Sequence, residues 1–272
     1  MSFLDLEFSL FRGRPIRLYE FRRGAIRWRY TNADRDITYQ LATYEKTAIA
    51  DDGIRRTGET TSETMKIHVP WNNPVARLYR GVPPAAEVSV IIRDIQYGEA
   101  GHRVAWSGLV QGVKWPSPER AELICQTIGA SMDRPGLSLS WDRGCPYAVF
   151  DADCGLNPAD FETVATIDSL TTSSITSATF DALDDGYFAG GWVEWDIGSG
   201  EVETRGITRH VGGQLTLLGG TDGLLAGMQV RAYPGCPRTI QACETIFNNR
   251  ANYGGFPHLP GKSPFDGDPI FW

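Results

Sequence analysis

Four of the five cysteines fall into two short loops that open alike. Gly144-Cys145-Pro146 begins a loop that closes on Cys154, with eight residues between the thiols, and Gly235-Cys236-Pro237 begins one that closes on Cys243, with six. Thiolates are soft ligands, and four that converge can bind zinc or an iron-sulfur cluster. Cys145, Cys154, Cys236 and Cys243 are therefore the candidate ligands. The spacing is not that of a zinc ribbon, whose knuckles place two to four residues between ligands. Glycine ahead of each opening cysteine would let the backbone come close to a bulky ligand, and the following proline biases the cysteine toward an extended conformation. Ordinary core thiols, or two disulfides, remain alternatives for the same residues.

The elements that must position these loops are strands. Arg14–Phe21 and Ala25–Tyr30 alternate about a turn at Arg23-Gly24 and read as a hairpin. Asp36–Leu41, Thr64–Val69, Glu87–Ile95, Arg103–Val113 and Ala121–Thr127 follow as strands, with an exposed polar loop at 51–61. Cys125 lies in line with Ala121 and Leu123 and reads as a packed core thiol. Residues 14–140 thus predict an antiparallel β-barrel or sandwich. After the first cysteine loop, segments around Tyr187-Phe188, 190–196, 201–207, 214–218 and 227–233 predict a meander, a second small β-barrel inserted between the loops. The polar run Thr171–Ser174 reads as a surface connection or an irregular edge. Arg238–Arg250 carries Ile240, Cys243, Ile246 and Phe247 on one helical face, and a proline-rich tail follows. The division expected is a β domain over 1–140, the first cysteine loop at 141–160, the inserted barrel at 161–233, and the second loop, helix and tail at 234–272.

Composition narrows the functions open to this chain. Its 272 residues include 30 glycines and 16 prolines, which favours strands and turns over long helices. No run of about eighteen apolar residues offers a membrane span. The N-terminus has no signal-peptide pattern, so synthesis in a reducing cytoplasm is expected, where stable disulfides are rare. The net charge of −7 is unevenly placed: seven arginines stand between Phe11 and Tyr30 against Glu20 alone, whereas Asp142–Glu203 carries thirteen acids against Arg143. Opposed charge suits contact between subunits, and the acidic half argues against nucleic acid as the main partner.

Three other chemistries compete for the same sequence. A cysteine peptidase or peptidoglycan hydrolase would pair Cys145 or Cys236 with His210 or His258, yet no recognisable catalytic motif surrounds either thiol. Asp181, Asp184 and Asp185 lack the ligand rhythm of a calcium loop and read as a solvated turn. Trp192 and Trp195 could supply a stacking platform for a carbohydrate-binding module, although alternation sets them on opposite faces of one strand.

One resemblance covers residues 140–261. Gly-Cys-Pro, an alternating block, a second Gly-Cys with a cysteine after six residues, and then Phe247-Asn-Asn-Arg-Ala-Asn-Tyr-Gly-Gly-Phe-Pro-His-Leu-Pro-Gly261 resemble the C-terminal signature of tail-tip hub proteins. These occur in long flexible-tailed phages and in the gene transfer agents derived from them. The cysteine gaps resemble those of lambda-type tail-tip proteins, whose four cysteines hold a 4Fe-4S cluster, though more residues separate the pairs here. The resemblance implies a non-enzymatic virion structural protein at the tail tip, or baseplate. It implies a homotrimer joining the distal tail ring to the central tail fibre, with Cys145, Cys154, Cys236 and Cys243 as cluster ligands, or zinc ligands as the alternative. It also implies two related barrel modules per chain.

Overall fold

A computed structural model describes residues 6–7, 9, 13–54, 64–129 and 141–259. The chain divides into two compact units, Met1–Arg134 with Asp196–Glu203, and Pro135–Trp195 with Thr204–Trp272. Each is built on a β-sheet.

The first sheet has nine strands, β1 (Pro15–Arg23), β2 (Ile26–Thr31), β3 (Ile37–Tyr39), β4 (Ala42–Lys46), β5 (Ala50–Asp51), β6 (Thr64–Pro70), β7 (Val88–Gln96), β8 (His102–Ser117) and β9 (Arg120–Thr127). Their order is β3-β4-β2-β1-β7-β8-β9-β6-β5. Consecutive strands β4 and β5 therefore lie toward opposite ends of the sheet: β4 pairs Tyr30 with Glu45, and β5 pairs Ala50 with His68. One segment, 42–51, thus links the two ends. The β2–β4 pairing is parallel, against the expectation of an antiparallel sheet. The reason is β3, which intervenes and reverses the chain twice. The strand expected over Asp36–Leu41 stops at Tyr39 because Gln40 and Leu41 both take left-handed backbone angles, φ 47° and 64°, to make that turn.

Alternation places the core where the sequence reading expects it. Met65, Ile67 and Val69, with Val88, Val90 and Ile92, and with Ala121, Leu123 and Cys125, point to one interior that also takes Tyr19 and Phe21. Cys125 is fully buried there. The opposite face of β1 carries Leu18, which packs with Ile37, Tyr39, Tyr44 and Ile95 under the β3–β4 hairpin. Gly108 is required by close packing, since a Cβ there would meet the Gln126 carbonyl oxygen at 2.2 Å. Strand β8 then bends through irregular register at Val110/Gly112. Helix α1 (Pro74–Arg77) is a single turn capped by the Asn73 side chain.

The arginines of the first hairpin find acids within this unit. Glu20, on the same face as Leu18, lies 2.7 Å from Arg93, 3.6 Å from Arg29, 3.8 Å from Arg22 and 4.0 Å from Arg27. Arg17 reaches Asp51 at 2.7 Å and Asp94 at 2.8 Å, and Arg23 pairs with Glu203. Burial alone would push the Asp51 carboxyl up. Hydrogen bonds from the Tyr19 hydroxyl and from Arg17 outweigh it and hold Asp51 below the usual carboxylate range.

The second sheet has seven strands, β10 (Thr163–Thr166), β11 (Ser169–Leu170), β12 (Ser174–Thr176), β13 (Trp192–Gly198), β14 (Glu201–Val211), β15 (Gln214–Leu217) and β16 (Gln229–Tyr233). Their order is β10-β16-β13-β14-β15-β12-β11, which puts sequence neighbours β10 and β11 at opposite ends. Between them the Ile167 amide donates to the Met228 carbonyl at 2.9 Å and the Asp168 amide to the Thr176 carbonyl at 2.8 Å. The bent segment 163–170 bonds first to one end of the sheet and then to the other, which closes a small barrel. Its core holds Ile167, Ile175, Phe180, Phe188, Val193, Leu215 and Val230, all buried. Tyr187-Phe188, expected in the meander, instead forms turns ahead of β13 in which Phe188 packs edge-on against Phe180 at 5.4 Å. Thr171–Ser173 connects β11 to β12 at the sheet edge, but Ser174, expected in the same polar connection, is buried and begins β12. No helix among the described residues is long and apolar enough to cross a membrane.

Candidate metal centre

The register of the second barrel explains why the two cysteine loops meet. β10 follows the first loop and β16 precedes the second, and these strands pair antiparallel with Thr163 opposite Ala232. Entry to and exit from the barrel are therefore neighbours, and loops far apart in sequence leave it side by side. Aromatic rings fill the base of the junction: Phe150 of the first loop meets Phe161, Trp192, Tyr233 and Phe247 at centroid distances of 5.6, 5.6, 6.5 and 6.2 Å.

Each loop has its own internal ties. In the first, Asp151 accepts from the Ala148 amide at 2.9 Å and from the Cys154 amide at 2.6 Å, which closes the turn that presents Cys154. In the second, Arg238 takes φ 60°, and its amide points at the Cys236 sulfur, 3.4 Å away. Thr239 then caps α2 (Ile240–Thr245), whose second turn carries Cys243. The Cys145 amide donates to the Arg238 carbonyl at 2.9 Å, tying one loop to the other.

The helix expected over Arg238–Arg250 is much shorter, and its early end serves the site. Asn248 takes a left-handed φ of 48°, which asparagine tolerates better than most residues. The Asn249 amide then turns back to the Cys243 carbonyl at 2.8 Å. The Asn249 side chain donates to the Cys154 carbonyl at 2.7 Å, with the Cys154 sulfur 3.7 Å away. The Tyr253 hydroxyl bridges the loops a second time, at 2.6 Å from the Arg143 carbonyl and 3.2 Å from that of Arg238. Gly254 and Gly255 complete the wrap, since a Cβ at the first would strike the Tyr147 ring at 2.3 Å and one at the second the Arg143 carbonyl oxygen at 2.6 Å. Asn249, Tyr253 and this glycine pair are contributors that sequence reasoning did not assign, although the run in which they stand is conspicuous.

All four candidate thiols line one small cavity, together with Val149, Leu156, Phe247, Arg238, Asn249 and Tyr253. None of the five cysteines is in a disulfide. Burial pushes the Cys243 thiol up, and repulsion from Cys236, Cys145 and Cys154 adds to it; burial and repulsion from Cys145 and Cys154 likewise raise Cys236, against the Arg238 amide. The donor set fits a thiophilic metal or cluster: four sulfurs, amide N–H groups aimed at two of them, and a guanidinium nearby. The cavity is small, about 20 Å³, and among the described residues no three such side chains are arranged to hold a single ion, as zinc with bonds of about 2.3 Å would require. Thiol rotamers turn readily, whereas the identity of the four donors does not change.

The glycines ahead of the cysteines do not take the special backbone angles that the sequence suggests. Neither adopts a left-handed angle. Gly235 is required by the chain itself, since a Cβ would sit 1.9 Å from the Ala189 carbonyl oxygen, while Gly144 has only the Arg238 carbonyl oxygen at 3.7 Å. No histidine lines the cavity among the described residues. His210 is buried against Phe188, with Nε2 3.3 Å from the Phe180 carbonyl, and His258 is exposed. Asp185 accepts from the Gly212 amide at 2.6 Å, and none of Asp181, Asp184 or Asp185 belongs to a metal-holding cluster among the described residues. Trp192 stacks on Tyr233 at 4.9 Å, and Trp195 is buried beneath Arg205. Both tryptophans are committed to packing.

Comparison with known proteins decides the family. A family model described as "Baseplate hub protein, N-terminal attachment domain" matches residues 18–157, just over half of the 272. The chain belongs to this baseplate hub family. A second model, "Phage conserved hypothetical protein BR0599", matches residues 186–263 and so takes in Cys236, Cys243 and the wrapping segment. An "Uncharacterized protein" of Xylella fastidiosa (strain 9a5c) is 27% identical over 173 residues, covering 58% of this hub chain and 36% of its own length. The hub chain thus spans about a third of that relative. A solved chain of the "Virion of native gene transfer agent (GTA) particle" shares the fold with a TM-score of 0.80 at 16% identity, over 99% of this chain and 96% of that one. This hub chain is a mainly β structural protein of the phage-type virion tail.

Proposed function

We propose that the chain is the hub subunit of a siphophage-type tail tip, a homotrimer that joins the distal tail ring to the central fibre assembly, and that Cys145, Cys154, Cys236 and Cys243 hold a 4Fe-4S cluster. The observation that carries the cluster is the convergence of four thiols from the barrel's entry and exit loops on one cavity. A bound cluster supplies metal–sulfur bonds that cross-link the loops. The chain's own residues do the rest: Asp151 and α2 present the thiols, the Arg238 amide points at one sulfur, and Tyr253 holds the loops together. The role is structural, and no partner for electron transfer is implied.

The trimer rests on a repeat in topology. In the first sheet the β5–β6 hairpin leads into the β7-β8-β9 meander, whose last strand pairs with β6. In the second the β11–β12 hairpin leads into the β13-β14-β15 meander, whose last strand pairs with β12. Two modules of one plan per chain are what a threefold hub needs to meet a sixfold ring. A peptidase is disfavoured because a nucleophilic cysteine needs a partnering base, and no histidine lines the four-thiol cavity among the described residues.

The test is iron and acid-labile sulfide on protein purified without oxygen, with single serine variants of the five cysteines. About four irons and four sulfides per chain, lost at the four ligand positions and kept in Cys125→Ser, are expected. Zinc in their place would change the metal and keep the site, and no metal in any preparation would reduce the four to core thiols. Light scattering should give three times the chain mass of 30.0 kDa; a stable monomer would refute the trimer.

A further inference from the structure

The geometry points to Asn249 as the positioning residue of the four-thiol centre, the group that holds Cys154 in place and offers its sulfur an N–H. This rests on the reading of the centre proposed above. Asn249 is nine-tenths buried and touches both loops at once. Its backbone amide is bound to the Cys243 carbonyl at 2.8 Å, and its backbone carbonyl faces the Cys243 thiol at 3.2 Å. Its side-chain nitrogen donates to the Cys154 carbonyl at 2.7 Å, with the sulfur at 3.7 Å.

The orientation of that amide is fixed. Asn252 Nδ2 donates to Asn249 Oδ1 at 2.9 Å, which leaves Asn249 Nδ2 as the end that faces Cys154. A flipped amide would set two N–H groups against each other and an oxygen against the Cys154 carbonyl. An N–H beside a thiolate stabilises the ionised sulfur and holds it for the metal, the work that groups behind metal ligands commonly do. Isosteric Asn249→Asp keeps the shape, removes the N–H, and brings a negative charge to the carbonyl and sulfur of Cys154.

The experiment compares wild type, Asn249→Asp and Asn252→Ala in the full chain. The first reading is the rate at which bound iron or zinc passes to a chelator. Asn249→Asp is expected to speed loss by about tenfold or more, as removal of such supporting groups does. Asn252→Ala, which frees the amide to flip and removes the longer contact of Asn252 Nδ2 with the Cys154 carbonyl at 3.5 Å, should give a smaller acceleration of the same sign. The second reading needs no metal: amide hydrogen exchange of the stripped protein should rise over 150–156 in Asn249→Asp, where the clamp on the Cys154 carbonyl is lost, while 143–147, tied by the Arg238 and Tyr253 contacts, is unchanged. Unchanged chelator and exchange rates in both variants would overturn the assignment. So would an equal rise over both segments, which marks general loosening. A wild type that binds no metal would sink the cluster proposal alone, because the exchange reading still tests the clamp on Cys154.

Discussion

Replacing Glu20 by glutamine should destabilise the first unit out of proportion to the change in shape. The Glu20 side chain is only 7% exposed, and four guanidinium groups surround it at 2.7 to 4.0 Å. Arg93 and Arg29 are 18% and 26% exposed and interact strongly, whereas Arg22 and Arg27, at 44% and 45%, are screened by water and add little. Removing one partner of a fully buried pair costs about 3–5 kcal/mol. Glutamine keeps an acceptor for Arg93, so about 2–3 kcal/mol is expected, or roughly a 30- to 160-fold change in the opening equilibrium. The assay is amide hydrogen exchange at pH 7, read over peptides from β1 and β7. Burial alone would raise the Glu20 pKa, but the hydrogen bond from Arg93 and the nearby arginines hold it below the usual glutamate value. A lowered folded-state pKa means that the stabilisation is present above the ordinary value and is lost as pH falls through the folded one. Wild type and Glu20→Gln should therefore converge in acid. Equal protection at pH 7, or a difference that persists unchanged in acid, would refute the reasoning.

Two further outcomes follow from the second unit. Gly235→Ala should cost about 3 kcal/mol or more, because the new methyl would meet the Ala189 backbone at 1.9 Å, while Gly144→Ala, with its nearest neighbour at 3.7 Å, should stay within about 0.5 kcal/mol. Urea unfolding of the two variants checks the contrast, and equal midpoints would contradict it. Stripping the metal should raise hydrogen exchange across 141–160 and 234–259 and leave β13–β16 protected, since the barrel closes through its own strand pairing; loss of protection throughout the barrel would show that the centre holds the whole unit.

Much of this was legible in the sequence, for definable reasons. Strands β6, β7 and β9 bury every second side chain, so period-two alternation reported them directly. The four ligand candidates were visible because cysteine is rare and the two loops open alike. What stayed hidden depends on partners distant in sequence. Glu20 looked like one acid among arginines, but Arg93, which approaches it most closely, lies 73 positions away. Asn249 and Asn252 look like ordinary helix breakers until the fold brings Cys154 beside them. The β3–β4 turn was missed because it uses Gln40 and Leu41 at positive φ with no glycine to signal it.

The repeat in topology leaves little trace in the sequence, for a definable reason. In both sheets a hairpin leads into a three-strand meander, and the first meander strand needs a partner on its free edge. That partner is β1 for β7 and β16 for β13. One comes from before the repeated unit and the other from after it, so the modules differ by a shift in where the closing strand enters the chain. A comparison of one half of the sequence with the other in chain order would align strands that have no common place. The shift also determines where a stapling site can arise. In the second module the segment that enters the barrel pairs with the strand that leaves it, Thr163 against Ala232, so the flanking loops emerge together. In the first module the entering strand β1 pairs with β7, Pro15 against Gln96, inside the module, and the last strand, β9, lies between β8 and β6 rather than beside β1. The second arrangement brings the entry and exit loops to one place, and that is where the four cysteines stand.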